Sequence, residues 1–146
     1  PDRIDGGVSL ADGMYTFTMD GTSTLPQLPN LSEIDRRTYY GYAVFPNLMV
    51  NLFSTGAMVY TLLPRSASHT TVVSDYLFRP ETFQAEDFDC SDVVDFLDLV
   101  TRQDWEVCER AQRGIRSRFF DRGVYPPQDE LLHRFAERYT AERDRP

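Results

Sequence analysis

The sequence predicts an α+β domain in which an antiparallel β-sheet packs against one long helix. Between residues 39 and 78, four segments rich in aromatic and β-branched residues follow one another with short breaks, which is typical of an antiparallel meander. From Ser91 to Phe120 the apolar residues instead recur at helical spacing. A chain of 146 residues is long enough for one domain with a buried core, so we expect residues 1–146 to form a single domain.

The predicted strands are separated by recognisable turn residues. Met14–Met19 alternates and is closed by Asp20-Gly21, and residues 22–37 then form a long loop. Pro46-Asn47, Ser54–Gly56 and Pro64–Ser68 supply the later breaks. The four remaining strands are predicted at Tyr39–Phe45, Leu48–Phe53, Ala57–Leu63 and Thr70–Phe78.

Two helices complete the predicted fold after a polar connector at 79–90. Ser91 or Asp92 is expected to cap the long helix, and Gly123 separates that helix from the last element. The final helix should begin after Pro126-Pro127.

Composition excludes several classes of function. A net charge of −8 argues against nucleic acid or an anionic membrane as a partner. All 15 basic residues are arginines, so a Schiff-base lysine or a phosphate-binding lysine of the Walker type is excluded. No apolar run approaches a membrane span and no secretory signal is visible, which makes a reducing, cytoplasmic setting the default expectation.

The two cysteines are not expected to form a disulfide. Cys90 directly precedes the long helix and Cys108 lies within it, so about 25 Å of helix rise separates them. Cys108 falls at the edge of the apolar stripe of the helix, and we expect it to be a buried structural thiol.

Asp104 is the most informative residue of the chain because it lies within that apolar stripe. It follows Val100 by four positions and precedes Val107 by three, whereas the other charges of the helix project to the opposite side. A carboxylate on a buried face is costly unless a cation, a metal or several donors compensate it. We therefore expect Asp104 to turn inward, either as a paired core acid or as a metal ligand.

A set of motifs resembles a known family. The run QDWEVCERAQRGIRSRFF at 103–120, followed by Gly123, Pro126-Pro127 and Glu130, resembles the C-terminal end of Rieske-type non-haem iron oxygenase α-subunits. FPNLMVNL at 45–52, LLP at 62–64 and YLFRPE at 76–81 are similar to the preceding strands of that family. The resemblance is greatest to the branch that includes glycine betaine, choline and carnitine oxygenases, and extends to many ring-hydroxylating enzymes.

This resemblance implies a helix-grip (START-like) catalytic domain with one mononuclear Fe(II). In the family, two histidines and one carboxylate bind the iron and leave positions open for dioxygen. The residue that matches the carboxylate ligand is Asp104. Residues three or four positions from it along the stripe, Val100 and Cys108, and more distantly Leu97, would line the substrate site or equally belong to the core.

The chain departs from the family in its other ligands. The paired histidines of the family are missing: His69 and His133 are far apart, match neither position, and are expected at or near the surface. The Cys-x-His and Cys-x-x-His pairs that bind the Rieske [2Fe-2S] cluster are also missing. We therefore expect an incomplete domain, the C-terminal part of the oxygenase catalytic domain with the Rieske domain absent, which alone is inactive and binds iron weakly or not at all.

The resemblance implies that the full-length enzyme uses dioxygen and electrons from a reductase or ferredoxin to hydroxylate or demethylate a small aromatic or quaternary-amine substrate. A homotrimer is implied by the family only. Two other readings remain open: a non-catalytic helix-grip domain that encloses a small apolar ligand, and a degraded gene product kept as a structural piece.

Overall fold

The computed structural model describes residues 7–145 and contains one antiparallel sheet and three α-helices. Its strands are β1 (Val8–Ser9), β2 (Thr38–Val44), β3 (Leu48–Phe53), β4 (Gly56–Ser66) and β5 (His69–Leu77). They lie in the order β1-β2-β3-β4-β5, so each strand pairs with its neighbour in sequence. The helices are α1 (Pro80–Phe83), α2 (Ser91–Ile115) and α3 (Glu130–Arg143).

The α+β class and the four-strand meander are confirmed. The observed strands β2 to β5 coincide with the predicted ones to within a few residues at each end. The turn at Pro46-Asn47 is also confirmed, and there the Asn47 side-chain amide donates a hydrogen bond to the carbonyl of Leu62 (3.0 Å). At the start of α2, the carboxylate of Asp92 accepts the backbone N–H of Val93 (2.7 Å).

The prediction of a strand at Met14–Met19 is wrong, because side-chain hydrogen bonds take the place of a sheet ladder there. The hydroxyl of Thr16 is hydrogen-bonded to that of Thr55 (2.8 Å), and Thr18 donates to the carbonyl of Thr22 (2.6 Å). This segment is an irregular loop, closed as expected at Gly21, whose φ is +79°. The alternating pattern of this segment reflects the burial of Thr16 and Thr18, and residues of a loop can be buried in this way as well as those of a strand.

A small apolar core joins α2 to one face of the sheet, which we call the inner face. Strand alternation places Phe53 of β3 and Met58 of β4 on this face, and helical spacing brings Val93 and Leu97 of α2 against them. Leu25 of the long loop completes the buried cluster. Non-directional apolar burial is therefore what holds the helix on the sheet.

The chain divides into two compact units, one ending at Cys108 and the other beginning at Glu109. The sheet and the core belong to the first, and α3 to the second. Within the part of the chain that the structure describes, no helix has both the length and the apolar character needed to cross a membrane.

Replacing Leu97 should reveal how much the core contributes to stability. Leu97→Ala removes a side chain that is 7% exposed, and we expect it to lower the free energy of unfolding by about 2–5 kcal/mol. Leu99→Ala is the matched control, since Leu99 lies on the same helix but is 46% exposed, and it should cost no more than about 0.5 kcal/mol. Urea unfolding followed by circular dichroism measures both. Equal losses would show that Leu97 is not a core residue.

Candidate metal-ligand site

The inner face becomes polar one turn beyond the apolar core. Along α2 the buried residues recur every four positions as Val93, Leu97 and Thr101. The hydroxyl of Thr101 shares a hydrogen bond of 2.5 Å with the hydroxyl of Tyr60 on β4. This bond is a polar link between helix and sheet at the end of the buried contact.

Tyr60 reaches this position because of the strand period. Side chains two apart on a strand point to the same face, so Tyr60 lies beside Met58 on the inner face but further from the centre of the core. Its partner across β3 is Met49, while Met58 is opposite Asn51. Tyr60 therefore covers the edge of the core with its ring and presents its hydroxyl to α2.

The charge of Asp104 acts on the Tyr60 hydroxyl. Burial is the main cause that raises the pKa of Tyr60, the hydrogen bond from Thr101 lowers it, and the charge of Asp104 raises it further. Asp104 follows Thr101 by three positions, so it lies one turn further along the same side of the helix. Whether the Asp104 side chain turns toward the sheet stays a prediction.

The expected burial of Asp104 is wrong, because its side chain is exposed. The reason is that the buried part of α2 ends at Thr101. Beyond it, Val107 is 63% and Ile115 is 51% exposed, so the apolar stripe continues in sequence without being covered. Because Asp104 is exposed, burial gives no support to its role as a metal ligand, and that role stays a prediction.

The three residues expected to line the substrate site lie in different environments. Leu97 is part of the buried cluster, whereas Val100 is 37% exposed. Cys108 is exposed, which overturns its expected role as a buried thiol. It lies past Thr101, where α2 is no longer covered, and this explains the difference. Whether any of the three contacts a substrate stays a prediction.

A second tyrosine hydroxyl, that of Tyr39, is hydrogen-bonded on the same face of the sheet. Tyr39 on β2 donates a hydrogen bond of 2.5 Å to the side-chain oxygen of Asn51 on β3, and Asn51 is 6% exposed. Burial raises the pKa of Tyr39, and Tyr60 adds to this rise. The sequence analysis missed Tyr39, Tyr60 and Thr101. Strand alternation from Met58 and the four-residue spacing from Leu97 were the available signals.

The histidines do not complete a metal site. His69 begins β5 and His133 lies on α3, and both are exposed, as expected. The His133 ring packs edge-on against Tyr125 at 5.3 Å. Among residues 7–145, no three histidine, cysteine, aspartate or glutamate side chains come together as a group that could hold a metal ion.

Comparison with known proteins identifies the family. Residues 2–142 match the family described as "Ring hydroxylating alpha subunit (catalytic domain)". This chain belongs to that family. The resemblance to Rieske oxygenase α-subunits is thereby confirmed, and Asp104 lies inside the matched region.

Relatives in this ring-hydroxylating family include monooxygenases. Over 92 residues the chain is 30% identical to choline monooxygenase of Arabidopsis thaliana, which covers 63% of the chain and 22% of that protein. Over 116 residues it is 26% identical to the glycine betaine monooxygenase oxygenase subunit of Pseudomonas aeruginosa, covering 80% of the chain and 27% of the relative. The chain thus spans about a quarter of the length of these relatives.

Half-buried tyrosines should make the first unit sensitive to alkaline pH. Burial raises the pKa of Tyr60 in the folded chain above its ordinary value of 10.0, so the folded state holds the phenol proton more tightly than the unfolded state does. The resulting stabilisation is complete below about pH 10 and is lost as the pH rises through the folded pKa.

Tyr60→Phe should therefore lose less stability than the wild type as the pH rises from about 10 to about 12, because it has no phenol proton at this position. Unfolding midpoints across this range, together with tyrosinate absorbance, test the effect. An equal loss of stability in both proteins would contradict the assigned burial of Tyr60.

Proposed function

We propose that this chain is the C-terminal part of the catalytic domain of a Rieske-type mononuclear iron oxygenase, and that Asp104 is the carboxylate that binds the iron. The match over residues 2–142 supports the class of enzyme. The position of Asp104 on α2, three residues and so about one turn after Thr101, the last buried residue of that helix, is the observation that supports the assignment of the ligand.

The donor chemistry fits iron only in part. A carboxylate oxygen is a suitable ligand for Fe(II), and an exposed one can reach a metal without first being removed from a core. However, residues 7–145 contain no group of three ligands, so this chain would supply a single one. We therefore expect the remaining ligands to be histidines outside this chain.

The sheet and α2 would form one wall of a helix-grip cavity in the complete domain. Tyr60 would contribute its ring to this wall, and its hydroxyl is engaged by Thr101. The substrate we propose is a small organic molecule that is hydroxylated or demethylated with dioxygen. Choline and glycine betaine are the first compounds to test, since the relatives' names refer to them. Electrons would come from a reductase or ferredoxin through a [2Fe-2S] cluster held elsewhere, and the homotrimer stays a proposal.

Removing the Asp104 carboxylate should remove iron from the enzyme. In the longest natural chain that carries this sequence, purified Asp104→Ala should retain well under a tenth of the wild-type iron, because breaking a metal-ligand set leaves too few donors. Glu109→Ala is the matched control, since it removes an exposed carboxylate from the same helix and should leave the iron content unchanged. Metal analysis and circular dichroism of all three proteins measure iron and folding.

Equal iron in wild type and Asp104→Ala would remove Asp104 from the metal site. In that event the non-catalytic reading, in which the sheet and α2 enclose a ligand, would become the better description of the fold.

The 146-residue chain alone should not bind Fe(II) stoichiometrically. An Fe(II) ion held by a single exposed carboxylate readily exchanges that ligand for water, so anaerobic equilibrium dialysis should show binding no stronger than the millimolar range and no difference for Asp104→Ala. Tight binding at one ion per chain would contradict the assignment of the other ligands to residues outside this chain.

A further inference from the structure

We propose that Tyr60 and Thr101 are positioning residues for Asp104, holding α2 in the rotation that aims this carboxylate to the inner side. The inference rests on the proposed role of Asp104 as a ligand. Its basis is the hydrogen bond of 2.5 Å between the hydroxyls of Tyr60 and Thr101, which joins β4 to α2 one helical turn before Asp104.

The apolar core alone leaves the rotation of α2 loosely defined. Contacts of Val93 and Leu97 are non-directional, and these residues precede Asp104 by about 16 Å and 10 Å of helix rise. A small turn of the helix about its axis would preserve most of that burial. It would, however, displace a ligand at position 104 relative to a metal whose other donors are fixed elsewhere.

A hydrogen bond has the directional character that the core lacks. Its energy falls steeply as the angle departs from linearity, so Thr101 must face Tyr60 within a narrow range of helix rotation. Thr101 is 7% exposed, so loss of the partner hydroxyl would leave a buried polar group unsatisfied. Asp104 follows Thr101 by only three positions on the same helix, so a restraint on the rotation of the helix at Thr101 also restrains the direction of residue 104.

Tyr60 is itself held firmly enough to serve as a reference point. It belongs to β4, which is paired on both sides, with Met49 opposite it on β3 and Ser74 opposite it on β5. Its ring packs against the buried cluster. The sheet thus fixes the Tyr60 hydroxyl, and that hydroxyl fixes Thr101.

The Tyr39–Asn51 pair provides a matched control on the same face. It is also a tyrosine hydroxyl bond of 2.5 Å to a buried partner, but it joins two strands, β2 and β3, and does not involve the helix. Tyr39→Phe therefore removes a comparable hydrogen bond from the same sheet without releasing α2.

The experiment measures Fe(II) affinity in the longest natural chain, under anaerobic conditions, for Tyr60→Phe, Thr101→Val, Thr101→Ser, Tyr39→Phe and Asp104→Ala. Circular dichroism restricts the comparison to folded proteins. We expect Tyr60→Phe and Thr101→Val each to weaken iron binding about 10-fold or more, the range typical of residues that orient a ligand. Their double variant should lose little more than either alone, since both break the same bond. Thr101→Ser, which keeps the hydroxyl, should bind iron almost as the wild type does, and so should Tyr39→Phe.

The outcomes separate this inference from the proposed function. Unchanged affinity in Thr101→Val and Tyr60→Phe, with iron lost in Asp104→Ala, would overturn the positioning role and leave Asp104 a ligand. A loss in Tyr39→Phe as large as in Tyr60→Phe would also overturn it, because sheet stability would then explain the effect. Iron retained in Asp104→Ala would overturn the proposed function itself. If Tyr60→Phe does not fold, the contrast between Thr101→Val and Thr101→Ser decides.

Discussion

Contact between α2 and the inner face of the sheet is the constraint on which the rest of the structure depends. Val93 and Leu97 pack into the core, and Thr101 ends the contact with a hydrogen bond to Tyr60. Along α2, the buried apolar residues are followed by Thr101, which is hydrogen-bonded to the sheet, and about one turn later by Asp104. The core fixes where the helix lies, and the polar link fixes which way its next turn points.

Strand alternation and helical spacing were sufficient to predict most of the fold. The meander from Thr38 to Leu77 and the helix from Ser91 were predicted to within a few residues. Each of these elements buries one face, and the spacing of its apolar residues in the sequence identifies that face. Met14–Met19 failed for a physical reason. Its alternating threonines are buried through hydrogen bonds with other side chains and with loop carbonyls, and periodicity does not distinguish this from a strand.

The burial of the candidate site could not be predicted from the sequence. A helical wheel shows on which side of α2 Asp104 lies, but it contains no information on what covers that side. The sheet buries this side of α2 only as far as Thr101, so the expected burial of Asp104 and Cys108 did not follow. The bond between Tyr60 and Thr101 was beyond reach from the sequence, because it joins residues 41 positions apart and depends on the tertiary placement of β4 against α2.

Exposure of Asp104 changes the physical reason for regarding it as a ligand. A buried carboxylate would have required a compensating cation, and that requirement disappears when the group is in contact with water. What supports the assignment instead is position: Asp104 lies within the region that matches the ring-hydroxylating family and one turn past a directional link to the sheet. A chain that supplies one ligand to a site completed elsewhere needs a carboxylate that is accessible and yet held in direction. Residue 104 meets the first condition, and Tyr60 with Thr101 would meet the second.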